Sequence, residues 1–179
     1  MITRHARHIG RRGAVRAAAL AALAALGCGA PSLQPPATRA SLARFAAAAT
    51  RDVYLHPVAL APLLGRRAVL YFFRTDCEYC AAGLAAARAL ASRPGAPALV
   101  LVSRESAERL REVLGPAPPR SLVVLSDSAG ALMDSALVTR YVPRIVAVAA
   151  YRVLLDQTGQ RGPGLRGAVD LAAARESLP

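Results

Sequence analysis

The sequence predicts a three-layer α/β sandwich, in which a central mixed sheet ends in an antiparallel hairpin and helices cover both faces. Continuous apolar runs alternate with helix-forming segments, as is typical of strands buried on both faces of a sheet. The last two apolar runs are joined by only a tight turn, so their strands must be antiparallel. At 179 residues the chain has room for one ordinary domain with additional segments.

The N-terminus has the pattern of a secretory signal peptide. Residues 1–16 carry only positive charge, and residues 17–26 form an uninterrupted apolar run. This run is half the length of about 20 residues that a membrane-spanning helix needs. We therefore predict that residues 1–27 are a signal peptide and not a spanning anchor.

The signal ends in Ala25-Leu26-Gly27-Cys28, which resembles the lipobox of bacterial lipoproteins. In that family the cysteine is lipidated and becomes the first residue of the mature chain, although the usual leucine three positions earlier is Ala25 here. The alternative is ordinary signal cleavage, which leaves Cys28 as a free thiol. Residues 28–40 are Pro-rich and lack hydrophobic periodicity, so we expect an extended tether there.

Export defines the expected location of the remaining domain, residues 41–179. The resemblance to lipoproteins implies a lipid anchor in a membrane, with the domain on the oxidising, periplasmic side of the cell envelope. The net charge of +12 does not indicate nucleic-acid binding, because the arginines beyond the signal are scattered and not interleaved with aromatic residues. We expect no nucleic-acid partner and interpret the excess charge as a solvated basic face.

The first long apolar run and the helix after it surround a C-x-x-C motif. Residues 68–73 are apolar with β-branched and aromatic side chains, which indicates a strand buried on both faces. Residues 81–91 are alanine-rich with an apolar face, which indicates a helix. Cys77 and Cys80 therefore lie where a buried strand meets a helix N-terminus.

Further segments complete the predicted fold, in the order strand–helix–strand–helix–strand–helix–strand–strand–helix. Asp156 and Gly159 follow the last strand and are interpreted as turn residues. The remaining segments are a weak helix at 41–50, strands at 98–102, 121–125, 144–148 and 152–155, and helices at 105–114, 127–138 and 166–176.

The number of cysteines narrows the chemistry of the motif. Once Cys28 is assigned to export, the domain retains only Cys77 and Cys80. The available ligands are this pair and His56, the one histidine beyond the signal peptide. Zinc and iron–sulfur sites need more ligands than these. A disulfide across two intervening residues closes too small a loop to constrain the unfolded chain much. Exclusion favours redox exchange, with no metal and no cofactor other than a Cys77–Cys80 disulfide.

The predicted helix N-terminus suggests a role for each cysteine. Its N–H groups and partial positive charge stabilise a thiolate at Cys77, which can attack a disulfide of a partner. Cys80 lies one helical turn further along, close enough to form a disulfide with Cys77. The second thiol then resolves the mixed disulfide.

A strand, a C-x-x-C motif at the mouth of a helix and Pro143 before the terminal hairpin together resemble the thioredoxin fold. The layout of residues 68–176 is similar to that of the membrane-tethered, thioredoxin-like thiol:disulfide oxidoreductases of the bacterial envelope. The resemblance implies a cis Pro143 against the cysteine pair, and a Val142 backbone that pairs with an extended peptide. Tyr79, between the cysteines, either lines this groove or packs on the domain surface. The implied partners are protein thiols and disulfides of the envelope.

Three residues depart from the pattern of that family. Asp76 replaces the usual Trp, Tyr71 stands where a buried acid assists proton transfer, and Arg144 replaces a common Thr. These departures affect what can be expected of the exchange rate, the reduction potential of the cysteine pair and the choice of partner. They do not affect the expectation of a reactive dithiol.

Asp76 and Glu78 flank Cys77 with negative charge. These acids are expected to raise the pKa of the Cys77 thiol and to disfavour a strongly oxidising disulfide. This favours a reductant or a dedicated maturation factor over a general oxidase, unless Arg74 or Arg144 cancels the effect.

Three alternatives use the same fold. A copper-binding assembly protein would use soft thiolates for Cu(I), but such relatives usually space their cysteines more widely and add a distal histidine, whereas His56 precedes the first strand. In a peroxidase of this fold, the threonine before the reactive cysteine lies two residues further upstream than Thr75 does here, relative to Cys77. A non-catalytic binding module would not need both cysteines at the helix mouth.

Overall fold

The computed structural model describes residues 34–115, 118–119, 121–159 and 164–174. The predicted signal peptide, Cys28 and residues 28–33 of the predicted tether lie outside these ranges. No helix within the described ranges combines the length and hydrophobicity that a membrane crossing requires.

Helices and strands alternate from residue 67 to residue 149, as the apolar runs predict, and a further strand and a helix follow. In chain order the elements are α1 (Arg39–Ala47), β1 (Thr50–Arg51), β2 (Pro57–Val58), α2 (Leu60–Gly65), β3 (Arg67–Phe72), α3 (Glu78–Ala91), β4 (Ala98–Ser103), α4 (Ala107–Leu114), β5 (Leu122–Ser126), a π-helix (Ala131–Ala136), β6 (Arg144–Ala149), β7 (Arg152–Thr158) and α5 (Gly164–Ala174).

The central sheet has the strand order β5-β4-β3-β6-β7. Strand β3 pairs in parallel with β4, which pairs in parallel with β5. Strand β6 pairs antiparallel with both β3 and β7, and the β6–β7 pair is the predicted terminal hairpin. A separate small hairpin joins β1 and β2. The predicted mixed sheet is therefore confirmed.

Successive side chains of β3 supply two cores on opposite faces of the sheet, because side chains alternate along a strand. Val69 and Tyr71 pack on the face that α3 and α5 cover. Leu70 and Phe72 pack on the face covered by α1, α2 and the π-helix. The predicted three-layer arrangement, with helices on both faces, is confirmed.

The segment 127–138, predicted as a helix, forms only the π-helix Ala131–Ala136. Asp127 lies before it, and its buried carboxylate accepts hydrogen bonds from the backbone N–H groups of Leu132 (3.1 Å) and Met133 (2.7 Å). The Asp127 carboxylate thus binds N–H groups five and six residues further along the chain, whereas an N-cap residue binds N–H groups two or three residues away. The helix therefore begins at Ala131, and the predicted start at residue 127 is wrong.

The described part of the N-terminal segment packs against the domain. The Gln34 Oε1 atom accepts hydrogen bonds from the backbone N–H groups of Arg140 and Tyr141, at 2.9 and 3.0 Å. Its Nε2 atom donates to Oγ1 of Thr158, at 2.7 Å. Residues 34–40, which the sequence analysis assigned to the tether, thus lead into helix α1 as part of the folded domain.

Asp156 lies within β7 and not in a turn, which corrects the sequence interpretation. Its carboxylate pairs with the Arg144 guanidinium, with N–O distances of 2.9 and 2.8 Å. Arg144 is completely buried, so this pair belongs to the interior of the domain. Gly159 does follow the strand in a turn, with φ of 76°.

Candidate active site

The two cysteines of the C-x-x-C motif lie at the N-terminus of helix α3 and form a disulfide. Cys77 is the N-cap residue and Cys80 lies in the first turn, where its N–H donates to the Cys77 carbonyl at 2.9 Å. Their Cα atoms are 5.2 Å apart. Cys80 is fully buried, whereas Cys77 is partly exposed. An incoming sulfur therefore has access to Cys77 before Cys80.

Glu105 holds the loop that leads from β3 to Cys77. Its carboxylate accepts hydrogen bonds from the N–H and the hydroxyl of Thr75, the latter at 2.6 Å. The Ser103 hydroxyl donates to the same carboxylate at 3.1 Å. The predicted helix over 105–114 includes Glu105, but α4 begins after the Ser106 N-cap, and the Glu105 side chain binds the loop instead.

The acids beside Cys77 have different environments. The Arg74 guanidinium donates two hydrogen bonds to Asp76, at 2.9 and 2.5 Å, and these raise the pKa of Arg74. Glu78 is exposed in the first turn of α3. Of the two arginines that could offset the acids, Arg74 does pair with Asp76, whereas Arg144 is engaged with Asp156 in the interior.

Tyr71 lies beneath the dithiol, at the place where the family resemblance has an acid. Its buried hydroxyl donates to the Cys80 carbonyl at 3.0 Å, and burial raises the pKa of Tyr71 to about 12. A Cβ atom at Gly83 would collide with the Tyr71 ring, so the glycine allows α3 to lie directly on it. Tyr71 is a neutral donor that positions the first turn of α3, and it cannot accept a proton near neutral pH.

The Val142–Pro143 peptide bond is cis. Phe72 pairs with Arg144 across β3 and β6, so Pro143 lies beside the residues that connect β3 to the dithiol. Tyr79 is 58% exposed, and it lines one cavity together with Pro143. Val142 is partly buried and packs against the cores on both faces of the sheet.

The structure thus brings together most of the residues that the sequence nominated. Cys77 and Cys80 are bonded, and Tyr79 and Pro143 share a cavity. Gln157 lines the same cavity, and it was not predicted because the last strand was expected to end at residue 155, whereas β7 extends to Thr158. The alternation of side chains along a longer β7 is the signal that could have found it.

His56 is not placed as a ligand for the cysteines. Its Nδ1 atom lies 3.0 Å from Oδ2 of Asp52, in the loop between β1 and β2. Among the residues that the structure describes, no three His, Cys, Asp or Glu side chains converge as a metal site would require.

No protein-family model and no curated protein matches the chain. Solved structures do resemble it. An exposed lipoprotein thioredoxin from Streptococcus pneumoniae is 17% identical with a TM-score of 0.56, over 72% of this chain and 98% of that one. A secreted Mycobacterium tuberculosis disulfide oxidoreductase, described as homologous to E. coli DsbE, is 20% identical with a TM-score of 0.55, over 72% and 97%. StoA from Bacillus subtilis is 17% identical with a TM-score of 0.51, over 63% and 87%.

These similarities define the class of fold. The chain has the thioredoxin fold, with a disulfide-bonded C-x-x-C motif at the N-terminus of the helix that follows the central strand. The predicted fold class is therefore confirmed.

Proposed function

We propose that the protein is a thiol:disulfide oxidoreductase that exchanges disulfides with protein partners through Cys77 and Cys80. The observation that carries the proposal is the unequal exposure of the two disulfide-bonded cysteines at a helix N-terminus. Cys77 is partly exposed, whereas Cys80 is buried. The similar structures include proteins described as a thioredoxin and a disulfide oxidoreductase, which supports the same chemistry.

The exchange follows from this geometry. In the reduced protein the Cys77 thiolate attacks one sulfur of the partner's disulfide, and the other partner sulfur leaves as a thiolate. Cys80 then gives up its proton and attacks the Cys77 sulfur, which releases the second partner thiol. The Cys77–Cys80 disulfide forms, and two electrons have passed to the partner. No metal or organic cofactor takes part in this scheme.

We assign the protein to the reducing or maturation side of disulfide chemistry. Negative charge beside an attacking cysteine disfavours its thiolate and so makes the disulfide less oxidising. The ion pair with Arg74 compensates Asp76, so the uncompensated negative charge beside Cys77 is mainly that of Glu78 in the first turn of α3. The reduction potential of the Cys77–Cys80 pair tests the direction, and a value as high as about −120 mV, typical of a strong oxidant, would contradict it.

We propose that the domain lies on the periplasmic side of the bacterial cell envelope, attached to a membrane by a lipid on Cys28. The support is the basic and apolar N-terminus, the sequence that resembles a lipobox, and the similar structures described as a lipoprotein and as secreted. Wild-type protein expressed in a bacterium should fractionate with membranes, and Cys28→Ala should release it. Membrane association that persists in Cys28→Ala would exclude the lipid as the anchor.

Insulin reduction tests the activity itself. The reduced wild-type protein should catalyse cleavage of insulin disulfides, and Cys77→Ser should abolish it. Cys80→Ser should instead accumulate a mixed disulfide between Cys77 and the partner, because the resolving thiol is absent. If the wild-type protein does not reduce insulin and the Cys80→Ser variant traps no mixed disulfide, the protein is a binding module and the proposed function is wrong.

A further inference from the structure

The positive charge of the folded domain is concentrated at its start. Residues 34–67 include five arginines and a single acid, Asp52. The described residues beyond position 67 contain ten arginines and nine acids, so that part of the domain is close to neutral. Most of the net charge of the domain therefore belongs to α1 and to the segments that connect it to β3.

The arginines in these two parts of the domain also differ in their ion pairs. Six of those beyond residue 67 pair with an acid, as Arg93 does with Asp170 at 2.8 Å. By contrast, Arg39, Arg44 and Arg51 form no ion pair with any acid that the structure describes. Their charges are therefore not offset by the described residues of the domain itself.

Helix α1 presents its arginines on the surface of the domain. Its apolar side packs against the core on one face of the sheet, whereas Arg39 and Arg44 are exposed. The π-helix, which packs against α1, has one acid, Asp134, and this acid already pairs with Arg104. The outer side of α1 is thus a basic surface without a nearby described acid to neutralise it.

The position of α1 in the chain favours a membrane as the partner of this basic surface. An uncompensated patch of positive charge attracts anionic groups. Helix α1 begins at residue 39, close behind Cys28, the predicted site of lipid attachment. Basic residues next to a membrane anchor are drawn to the headgroups of anionic phospholipids. An acidic protein would satisfy the same charges, but nothing connects such a protein to this end of the chain.

We propose that Arg39, Arg44 and Arg51 bind the anionic phospholipid headgroups of the membrane to which Cys28 is attached. The lipid supplies the attachment, and the arginines set the orientation of the domain. Because α1 and α3 cover opposite faces of the sheet, this orientation turns α3 away from the bilayer and leaves its face open to a partner. The inference rests on the proposed attachment at Cys28 and not on the exchange chemistry.

A single tryptophan provides the probe, because the chain has no tryptophan of its own. Ala43→Trp introduces it on the exposed side of α1. Val113→Trp introduces it at an exposed position of α4, on the opposite face of the sheet, and is the matched control.

Vesicle attachment can be made independent of lipidation in the cell. The protein is prepared from Cys28 onward, which retains both cores and all the described elements. While Cys77 and Cys80 are joined in the disulfide, Cys28 is the only free thiol, so it can be coupled to a maleimide phospholipid in the vesicle.

Quenching by a nitroxide on phosphatidylcholine headgroups then reports how close each probe lies to the membrane surface. The vesicles contain either no anionic lipid or about one third phosphatidylglycerol. The α1 probe should be quenched about threefold more in the anionic vesicles, and the α4 probe equally in both. Salt at about 0.5 M should remove the difference, because it screens exposed charges.

Substitution of the arginines decides whether they cause the contact. Arg39→Gln/Arg44→Gln should make the quenching of the α1 probe equal in the two kinds of vesicle. Arg109→Gln/Arg166→Gln removes the same number of charges from helices of the other face and should keep the wild-type difference. Equal quenching of the α1 probe in neutral and anionic vesicles, or a difference that survives Arg39→Gln/Arg44→Gln, overturns the proposal. Because the attachment is chemical and no disulfide exchange is measured, this result is independent of the insulin and fractionation experiments.

Discussion

Tyr71 combines a structural role with an unusual titration. It is 1% exposed, and its hydroxyl donates to the carbonyl of Cys80. Burial penalises the phenolate, so the pKa of Tyr71 is raised to about 12. In the proposed exchange, Tyr71 therefore does not accept the proton of Cys80, because its side chain is not a base at neutral pH.

This titration predicts how stability depends on alkaline pH. The unfolded chain loses the Tyr71 proton near pH 10 and the folded chain near pH 12, so the folded state binds the proton more tightly. The stabilisation is fully present below pH 10 and is lost as the pH rises to 12, by roughly 2 kcal/mol. The chain has no lysine, whose titration would obscure this range.

Urea denaturation at pH 8 and at pH 11.5 measures the effect. Tyr71→Phe should be less stable than wild type at pH 8, where it lacks the hydrogen bond, and the difference should shrink at pH 11.5. Tyr151→Phe removes an exposed hydroxyl that donates to Ala61, and it should keep the wild-type pH dependence. An equally steep loss of stability in Tyr71→Phe would contradict the assignment.

The pairing of Arg74 with Asp76 predicts the reactivity of Cys77. Arg74→Ala leaves the Asp76 carboxylate uncompensated next to the cysteine, so the thiolate fraction should fall. Alkylation of the reduced protein by iodoacetamide at pH 7 should slow by about twofold, since exposed ion pairs are weak. In an Asp76→Asn background the same Arg74→Ala change should have no effect, and a persistent effect there would show that Arg74 acts on Cys77 by another route.

Among the structural elements, the N-terminal segment contacts the loop that precedes the cis peptide bond. Gln34 accepts hydrogen bonds from the backbone N–H groups of Arg140 and Tyr141, the two residues that precede the cis peptide Val142–Pro143. The chain that leads in from the predicted membrane tether therefore helps to hold the loop that we expect to pair with a peptide.

Gln34→Ala tests this connection. The two N–H groups would lose their acceptor, so the free energy of unfolding should fall by about 1–2 kcal/mol. Amide hydrogen exchange of Arg140 and Tyr141 should accelerate more than exchange in the central strands. Thr158→Val removes only the partner of the Gln34 Nε2 atom and serves as the control. If the two amides exchange at wild-type rates in Gln34→Ala, the segment does not hold the loop.

The success of prediction from the sequence differed between elements for physical reasons. Strands β3 and β4 have uninterrupted apolar runs because both of their faces are buried, and these runs identify them. The π-helix and the packed residues 34–40 depend on contacts distant in sequence, such as Gln34 with Thr158. Local propensity contains no information about such contacts.

The same distinction applies to the candidate site. The position of Cys77 and Cys80 at a strand–helix junction followed from adjacent residues alone. The roles of Glu105 and Gln157 did not, because the partner of Glu105 is Thr75, 30 residues away, and Gln157 enters the cavity only through the folding of β7.

At the scale of the whole molecule, one buried arginine joins segments from distant parts of the chain. All five N–H groups of Arg144 have acceptors, which is the full capacity of a guanidinium. Two are the carboxylate oxygens of Asp156 in β7. The others are the Pro35 carbonyl of the N-terminal segment and, beyond the π-helix, the Leu137 carbonyl and the Thr139 hydroxyl.

The last prediction concerns the contribution of the buried Arg144–Asp156 ion pair to the stability of the domain. Arg144→Met keeps the volume of the side chain and removes the charge, so the Asp156 carboxylate, whose side chain is 16% exposed, is left without its cation. Breaking one partner of a buried ion pair costs about 3–5 kcal/mol, and urea denaturation should show a loss of that size.

The double variant Arg144→Met/Asp156→Leu removes both charges and should recover part of that loss. Recovery should remain incomplete, because Asp156 also accepts the Ala37 N–H at 2.6 Å and the carbonyls of Pro35 and Leu137 lose their donor. A double variant no more stable than Arg144→Met would show that the uncompensated carboxylate is not the source of the loss. The arginine would then act mainly through its hydrogen bonds to the backbone carbonyls that surround it.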